Sequence, residues 1–242
     1  MKSKIFFLIP ARISNKQDQK NFIKYNRKYL LIHKINSLLK TKLGSVYVVT
    51  NSKKILKIIK STNAKSIFIK DSSKSKKSTM LYSISMALKK ISNEISNNDY
   101  VAVSPMQNVF LESKSIISAC KKIITTKNIN SLNTYYNSSN LHPCKIIEKK
   151  NNLIKFDVVK FKNIEFSKTE KTSDLPLVSY SSCALRISKY TYLDQLSKKK
   201  NYDNFIVDIK ICAGFQINEK EAFEINSKKD LKYARYLDEY VK

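Results

Sequence analysis

Short apolar runs, each the length of a strand, alternate with helical patterns through the first half of this 242-residue chain. The runs at 5–9, 46–49 and 100–103 consist of aliphatic and aromatic residues, which is typical of strands buried on both faces of a parallel sheet. Apolar residues recur with helical spacing in 30–39 and 79–91. This alternation predicts a doubly wound, mostly parallel α/β sheet with right-handed crossovers.

The second half of the chain has a different pattern. A hairpin is expected at 145–157, with its turn at 149–152, followed by a polar arm at 163–176. Further strands are expected at 181–187, 205–211 and 222–225, and a last helix begins near Ser227. We interpret 1–242 as a single domain in which 145–180 forms an inserted hairpin and a dimerisation arm.

Composition excludes several classes of protein. A hydrophobic content of 42% is too high for a disordered chain, and no stretch approaches the roughly 18 apolar residues of a membrane span. The first apolar run is too short for a signal-peptide core, so we expect a cytosolic protein with no membrane partner. The cysteines lack C-x-x-C spacing and are expected to be reduced core thiols: Cys120, Cys144, Cys183 and Cys212.

The formal net charge of +27 invites a nucleic-acid interpretation. The lysines, however, are scattered along the chain, and they accompany heavy use of Ile, Asn and Ser with only two glycines. That bias is expected from codons rich in A and T, and no recognition motif accompanies the charge. We therefore expect no specific nucleic-acid partner, although the positive field favours an anionic small substrate.

The loop after the first strand carries the clearest candidate chemistry. It places Arg12, Lys16 and Lys20 within nine residues, beyond the carboxyl end of a strand, where doubly wound sheets bind ligands. Cations at that position would neutralise a triphosphate and stabilise a departing pyrophosphate. A solvated basic loop is the alternative interpretation of the charge alone.

The order of residues in this loop adds a resemblance. I-P-A-R at 9–12, a Ser/Lys segment and K-N at 20–21 resemble I-P-A-R-x-x-S-K-x-x-x-x-K-N, the opening motif of the CMP-sialic acid synthetase (acylneuraminate cytidylyltransferase) family. Arg12, Lys16, Lys20 and Asn21 fall on its signature positions. The resemblance implies a Rossmann-like nucleotidyltransferase fold in which Arg12 and Lys20 hold the triphosphate of CTP and Asn21 places the nucleotide.

Similar fragments follow in the family's order over essentially the full chain. V-V-T-N at 48–51 is similar to a V-S-T-D strand end, and D-L-P at 174–176 is similar to Q-D-L-P. Ser78 and Thr79 lie where the family has a hydroxyl pair near the nucleotide base. C-A-L-R-I at 183–187 replaces N-G-A-I-Y-I, and F-E-I-N-S at 223–227 resembles I-D-I-D-T.

Three departures concern the expected site. I-S-N at 13–15 replaces G-G-S, which removes glycines suited to close approach of the backbone to phosphate. Ser104 and Phe110 replace a glutamine and an arginine expected to contact the acidic sugar, so we assign sugar contacts to Ser104 and Gln107. The paired aspartates of the magnesium site become Glu224 and Asn226, and because the amide is neutral we expect weak metal binding or none.

These observations leave three hypotheses open. The first is a cytidylyltransferase that joins CMP from CTP to a nonulosonic, sialic-acid-like sugar, with Mg²⁺ as cofactor and a homodimer as the working form. The second is a family member that has lost the chemistry and serves as a nucleotide-binding or oligomerisation partner. The third, nucleic-acid binding, rests on charge alone. Asp203 and Asp208 are alternative carboxylates for a metal.

Overall fold

The computed structural model describes residues 3–13, 22–70, 80–138, 143, 148–150, 153–155, 175–198, 206–208 and 210–240. The strands are β1 (Ile5–Pro10), β2 (Lys24–Tyr25), β3 (Lys28–Tyr29), β4 (Gly44–Thr50), β5 (Lys65–Phe68), β6 (Tyr100–Val103), β7 (Ser131–Ser138), β8 (Glu148–Lys150), β9 (Leu153–Lys155), β10 (Val178–Lys189) and β11 (Cys212–Gln216). The helices are α1 (Leu30–Lys40), α2 (Lys53–Ile59), α3 (Met80–Lys90), α4 (Ser113–Thr125), α5 (Tyr190–Lys198), α6 (Glu219–Ala222) and α7 (Lys228–Tyr240).

Seven strands form one mostly parallel sheet in the order β11-β7-β10-β6-β1-β4-β5. β1 pairs in parallel with β4 and β6, β4 with β5, and β7 with β11. β10 is antiparallel to both of its neighbours, β6 and β7. The other six strands therefore point the same way and share a carboxyl edge, which confirms the predicted doubly wound α/β fold.

The sheet separates two apolar clusters because alternate residues of each strand point to opposite faces. On β1, Ile5, Phe7 and Ile9 pack with helices α1, α2, α4 and α7 on one face, here called the α1 face. Phe6 and Leu8 pack with α3 and α5 on the other, the α3 face. β1 is buried from both sides, as its unbroken apolar run predicts.

In the second half one strand was missed and two predicted strands were wrong. β7 was not expected, because its sequence, S-L-N-T-Y-Y-N-S, is largely polar. The described part of the predicted strand 205–211 has no regular structure, and the nearby strand is β11, which begins at Cys212. The predicted strand 222–225 is not formed: Ala222 ends the short helix α6 and 223–225 have no regular structure. The first turn of α6 is closed by a reciprocal capping box between Asn218 and Glu221.

A hairpin lies within the predicted range 145–157, with Glu148 paired to Lys155 and Lys150 to Leu153 in the antiparallel pair β8–β9, but β8 includes residues 149 and 150 of the predicted turn. Its role in a dimerisation arm stays a prediction. None of the three described cysteines forms a disulfide, but only Cys120 is a core thiol, since Cys183 is half-buried and Cys212 is exposed. No helix within the described ranges is long and apolar enough to span a membrane.

Candidate active site

Arg12 lies just beyond the carboxyl end of β1, on the α3 face of the sheet. Its Nη1 donates a hydrogen bond of 3.2 Å to Ser83 Oγ on α3. Its guanidinium carbon lies 5.9 Å from the centre of the Tyr82 ring, within range of a cation–π contact. The side chain is half-buried, so α3 orients the guanidinium while the edge of the sheet stays accessible to a ligand.

The backbone around Arg12 is fixed by the end of β4. Thr50 Oγ1 donates to the carbonyl of Ala11 at 2.7 Å, and Ala11 N donates to the carbonyl of Val49 at 2.8 Å. Asn51 holds Ile13 from both sides: its Oδ1 accepts from Ile13 N at 2.8 Å and its Nδ2 donates to Ile13 O at 2.7 Å. Ala11 and Ile13, the residues on either side of Arg12, are thus anchored to the end of β4 and to the residue that follows it.

Ser104 continues β6 at the same carboxyl edge. Its side chain is fully buried, and its Oγ donates to the carbonyl of Ala184 at 2.7 Å. This bond ties β6 to β10 and favours a structural role for the hydroxyl. Its assignment to sugar binding stays a prediction.

Gln107 lies beside the segment that carries the candidate metal ligands Glu224 and Asn226. Its backbone carbonyl accepts a hydrogen bond of 3.1 Å from Ile225 N, which brings the segment carrying Glu224 and Asn226 against the loop that follows β6. The buried Asn108 reinforces this join, because its Nδ2 donates to Ala222 O at 3.0 Å. The structure therefore brings together two of the regions that sequence motifs assigned to the sugar and the metal.

Phe110, which replaces the expected arginine, belongs to the packing of the loop. Its ring lies 5.7 Å from that of Tyr25 and 6.5 Å from that of Phe223. Lys220 Nζ lies 5.5 Å from the centre of the same ring. An aromatic cluster therefore holds this loop where the resemblance implied a cationic sugar contact.

Glu224 and Asn226 are hydrogen-bonded to each other. Asn226 Nδ2 donates to Glu224 Oε2 at 3.1 Å, and Asn226 N donates to Asp230 Oδ2 at 2.9 Å. Ser227 N also donates to Asp230, so that carboxylate closes the first turn of α7. On the neighbouring strand β7, burial, followed by the negative charge of Glu219, raises the pKa of Tyr136.

The alternative carboxylate Asp208 lies elsewhere. It accepts hydrogen bonds from Asn130 Nδ2 at 3.0 Å and from Lys210 N at 3.0 Å, and these contacts with a donor amide hold its pKa below the usual range. Ser131, which begins β7, also bonds the Asp208 backbone, so this residue lies at the amino edge of the sheet. That position is opposite to the candidate site.

Several predicted site residues fall outside the described residues: Lys16, Lys20, Asn21, Ser78, Thr79 and Asp203. Among the residues that are described, no group of three or more His, Cys, Asp or Glu side chains is arranged to hold a metal. Sequence reasoning missed the positioning residues Thr50, Asn51 and Ser83. T-N at 50–51 resembles a fragment of a family motif, but the sequence gives no sign that these two residues clamp the first loop, that is, hold Ala11 and Ile13 by hydrogen bonds.

No family model matches the chain, and a search of curated proteins finds no match. Solved structures do match over nearly the whole length. CMP:2-keto-3-deoxy-manno-octonic acid synthetase in complex with CTP covers 98% of this chain and 98% of its own, at 11% identity and a TM-score of 0.67.

Two other matches have the same extent. 2-C-methyl-D-erythritol 4-phosphate cytidylyltransferase from Francisella tularensis covers 97% of this chain and 99% of its own, at 17% identity and a TM-score of 0.64. 4-Diphosphocytidyl-2C-methyl-D-erythritol synthase from Anaerococcus prevotii covers 98% and 96%, at 12% identity and a TM-score of 0.64. At such identities the likeness shows that this chain has the α/β fold of these cytidylyltransferases.

Proposed function

We propose that this protein is a cytidylyltransferase that uses CTP to activate an acidic sugar of the nonulosonic type. The acceptor hydroxyl oxygen attacks the α-phosphorus of CTP, and the bond from that phosphorus to the bridging oxygen of the β-phosphate breaks. A CMP-sugar forms, pyrophosphate leaves, and the hydroxyl proton passes to solvent. The chemistry needs positioning and charge stabilisation and no covalent intermediate.

The observation that carries this proposal is the anchored arginine at the carboxyl edge. Thr50 and Asn51 fix the backbone on both sides of Arg12, and Ser83 orients its guanidinium. A guanidinium held in this way presents a planar, permanently charged group to phosphate oxygens at no cost in reorganisation. The fold shared with proteins that use CTP supports the same nucleotide here.

The acceptor is assigned to the neighbouring strands. The loop after β6 and the segment 223–226 meet through the bond from Ile225 N to Gln107 O, next to the ends of β7 and β10. A sugar bound there would lie beside a nucleotide whose triphosphate contacts Arg12. Lys16, Lys20 and Asn21 remain proposed nucleotide contacts on the strength of the motif.

Magnesium is not well matched by the residues present. Mg²⁺ prefers hard oxygen ligands. The Asn226 amide nitrogen donates to Glu224 Oε2, so one oxygen of the pair's single carboxylate is already engaged, and the amide oxygen that Asn226 could offer is neutral. We derive no step through the metal.

The same arrangement favours a second candidate function. A chain that binds CTP without transferring CMP would serve as a nucleotide-binding or oligomerisation partner of an active enzyme. The internally bonded pair Glu224–Asn226 is the specific observation on its side.

Pyrophosphate release separates the two candidates. The purified protein is incubated with CTP, Mg²⁺ and each of a panel of nonulosonic acids, and pyrophosphate is measured with and without the acid. Release that requires an acid establishes the transferase. CTP binding by calorimetry without release for any acid would support the partner function, and absence of both would contradict each proposal.

A further inference from the structure

Arg186 on β10 is a half-buried arginine with a single hydrogen-bond partner among the described residues. Its Nη2 donates to Cys183 Sγ at 2.9 Å, and its buried Nε has no partner. Among the ion pairs of the described residues, none includes Arg186. A buried donor of a charged group that is left unsatisfied costs free energy, which indicates that a partner is missing from the described protein.

The register of β10 places this guanidinium at the candidate site. Arg186 is paired with Val103, the last residue of β6, and the two side chains share the α3 face. Because β10 runs antiparallel to β6, Cys183 lies beyond the carboxyl end of β6. The bond to Cys183 therefore shows that the guanidinium extends toward the edge where Arg12 lies.

The spacing of the strands separates the two arginines. β6 lies between β10 and β1, so Arg186 and Arg12 stand two strands apart on one face of the sheet. Neighbouring strands are about 4.8 Å apart, which gives a separation of about 10 Å between their backbones. A triphosphate held by Arg12 would thus leave Arg186 to a different anionic group.

Asn133 adds an independent second observation. It is the cross-strand partner of Arg186 on β7 and shares its face. Its Nδ2 donates to Ser181 Oγ at 2.8 Å, whereas its buried Oδ1 has no hydrogen-bond partner. An unsatisfied acceptor beside an unsatisfied cationic donor matches a ligand that carries both a hydroxyl group and an anionic group.

We propose that Arg186 binds the anionic group of the acceptor substrate, with Asn133 accepting a hydrogen bond from one of its hydroxyl groups. The inference rests on the function proposed above and identifies the acceptor class as a hydroxylated organic anion. Its anion is either a carboxylate, as in a 2-keto sugar acid, or a phosphate, as in a polyol phosphate. Arg186 thereby supplies the cation that Phe110 does not.

Steady-state kinetics of Arg186→Gln and Arg186→Lys test the assignment, with Arg235→Gln on the exposed side of α7 as the matched control. We expect Arg186→Gln to raise the acceptor KM about tenfold to a hundredfold, the usual loss for a hydrogen bond to a charged group, with the KM for CTP unchanged. Arg186→Lys keeps the positive charge but loses the planar guanidinium, which can donate two parallel hydrogen bonds. Its acceptor KM should therefore lie between those of the wild-type protein and Arg186→Gln. If thermal melting shows that Arg186→Gln does not fold, the test is made with Arg186→Lys alone.

Sugar acids and polyol phosphates are tested separately, and the class whose KM changes identifies the anion. An unchanged acceptor KM, or a change confined to CTP, would overturn the assignment. If the wild-type protein releases no pyrophosphate with any acceptor, the proposed function fails by itself. Calorimetry of the same acids then decides about Arg186: weaker binding to the variant supports the inference, and equal or absent binding in both proteins overturns it.

Discussion

The two sides of the candidate site differ in how completely the protein satisfies its own polar groups. Within β1, β4 and β6 themselves no described buried side-chain polar atom lacks a hydrogen-bond partner, although three buried atoms outside these strands make none: Arg12 Nε, Lys34 Nζ and Asn108 Oδ1. On β7 and β10, four such atoms lack one, namely Asn133 Oδ1, Ser138 Oγ, Tyr180 OH and Arg186 Nε. On the first side the strand ends are held by hydrogen bonds within the protein, whereas on the second side four buried donors and acceptors of the strands themselves make none.

This difference suggests a division of labour across the sheet. In the proposed function, phosphate binding requires the same charge geometry for every turnover, and the anchored backbone around Arg12 would supply it. Recognition of a hydroxylated acceptor requires groups that reject the wrong substrate by remaining unpaired. The nucleotide side therefore resembles a preformed scaffold, and the β7–β10 side resembles a specificity surface.

The largest expected effect is that of Arg12→Ala. Removing a preorganised group that stabilises transition-state charge typically costs about 100- to 1,000-fold in kcat. We expect that loss in pyrophosphate release, with thermal stability close to wild type because Ser83 keeps other contacts. Arg235→Ala, at an exposed position of α7, is the control and should leave the rate unchanged. An Arg12→Ala rate within twofold of wild type, about 0.4 kcal/mol, would contradict the scaffold interpretation.

Lys34 is buried on α1, which packs against the α1 face of the sheet. Its Nζ is fully buried without a hydrogen-bond partner among the described residues, and burial lowers the pKa of its ammonium to about 7, against the opposing charge of Glu221. Lys34→Met replaces the amine by an apolar side chain of similar length. We expect the free energy of unfolding at pH 7 to rise by about 1–3 kcal/mol, as for removal of an unsatisfied buried polar group.

The pH dependence of unfolding checks the same residue. In the unfolded chain a lysine keeps its proton up to a pH of about 10.4. Lys34 in the native state loses its proton near pH 7, so the unfolded state binds more protons between these values and stability should rise with pH across that window. Denaturant titrations of Lys34→Met should lack this rise. Lys40→Met, at an exposed position of the same helix, should retain it.

Asn51→Ala tests the two hydrogen bonds by which Asn51 holds the backbone of Ile13. It leaves Ile13 N and Ile13 O without their partner, so we expect a loss of about 1–2 kcal/mol in stability, in line with two neutral hydrogen bonds. A displaced Arg12 should also weaken CTP binding in calorimetry. Asn97→Ala, an exposed asparagine before β6, serves as the control. Unchanged CTP affinity in Asn51→Ala would show that the first loop is positioned by other contacts.

The smallest expected effect comes from restoring a carboxylate pair with Asn226→Asp. The substitution removes the amide that donates to Glu224 and supplies a second hard oxygen ligand. We expect Mg²⁺ to bind more tightly to the variant than to the wild-type protein, by about tenfold, or 1.4 kcal/mol. Titration of Mg²⁺ in calorimetry measures this directly. A variant whose Mg²⁺ affinity equals that of the wild-type protein would show that Glu224 does not face a cation site.

The sequence predicts the strands β1, β4 and β6 better than it predicts the β7–β10 side of the sheet. β1, β4 and β6 were predictable because strands buried on both faces are almost entirely apolar. β7 was missed because most of its residues are polar, and the prediction at 205–211 followed apolar residues that pack as a loop. Ile206 is buried there, with its carbonyl accepting from Ser188 Oγ at 2.6 Å.

The site was predictable only where a motif lies next to an unmistakable strand. Arg12 follows β1 directly, so its place at the edge could be inferred from local sequence. Arg186 and Asn133 are cross-strand partners on β10 and β7 although 53 positions (186 minus 133) separate them in the sequence. No local sequence pattern encodes that pairing. The sequence placed Ser104 in a loop that could contact the sugar, but the residue is buried next to β10, where its hydroxyl donates a hydrogen bond to the carbonyl of Ala184.

Transfer of label from CTP tests the central claim most directly. CTP labelled at the α-phosphate is incubated with the protein, Mg²⁺ and a 2-keto sugar acid, and the products are separated and identified by mass. We predict that the α-label appears in a CMP-sugar only when the acid is present, with unlabelled pyrophosphate released in equal amount. Label that stays in CTP, or that appears in free CMP independently of the acid, would contradict the proposed transfer.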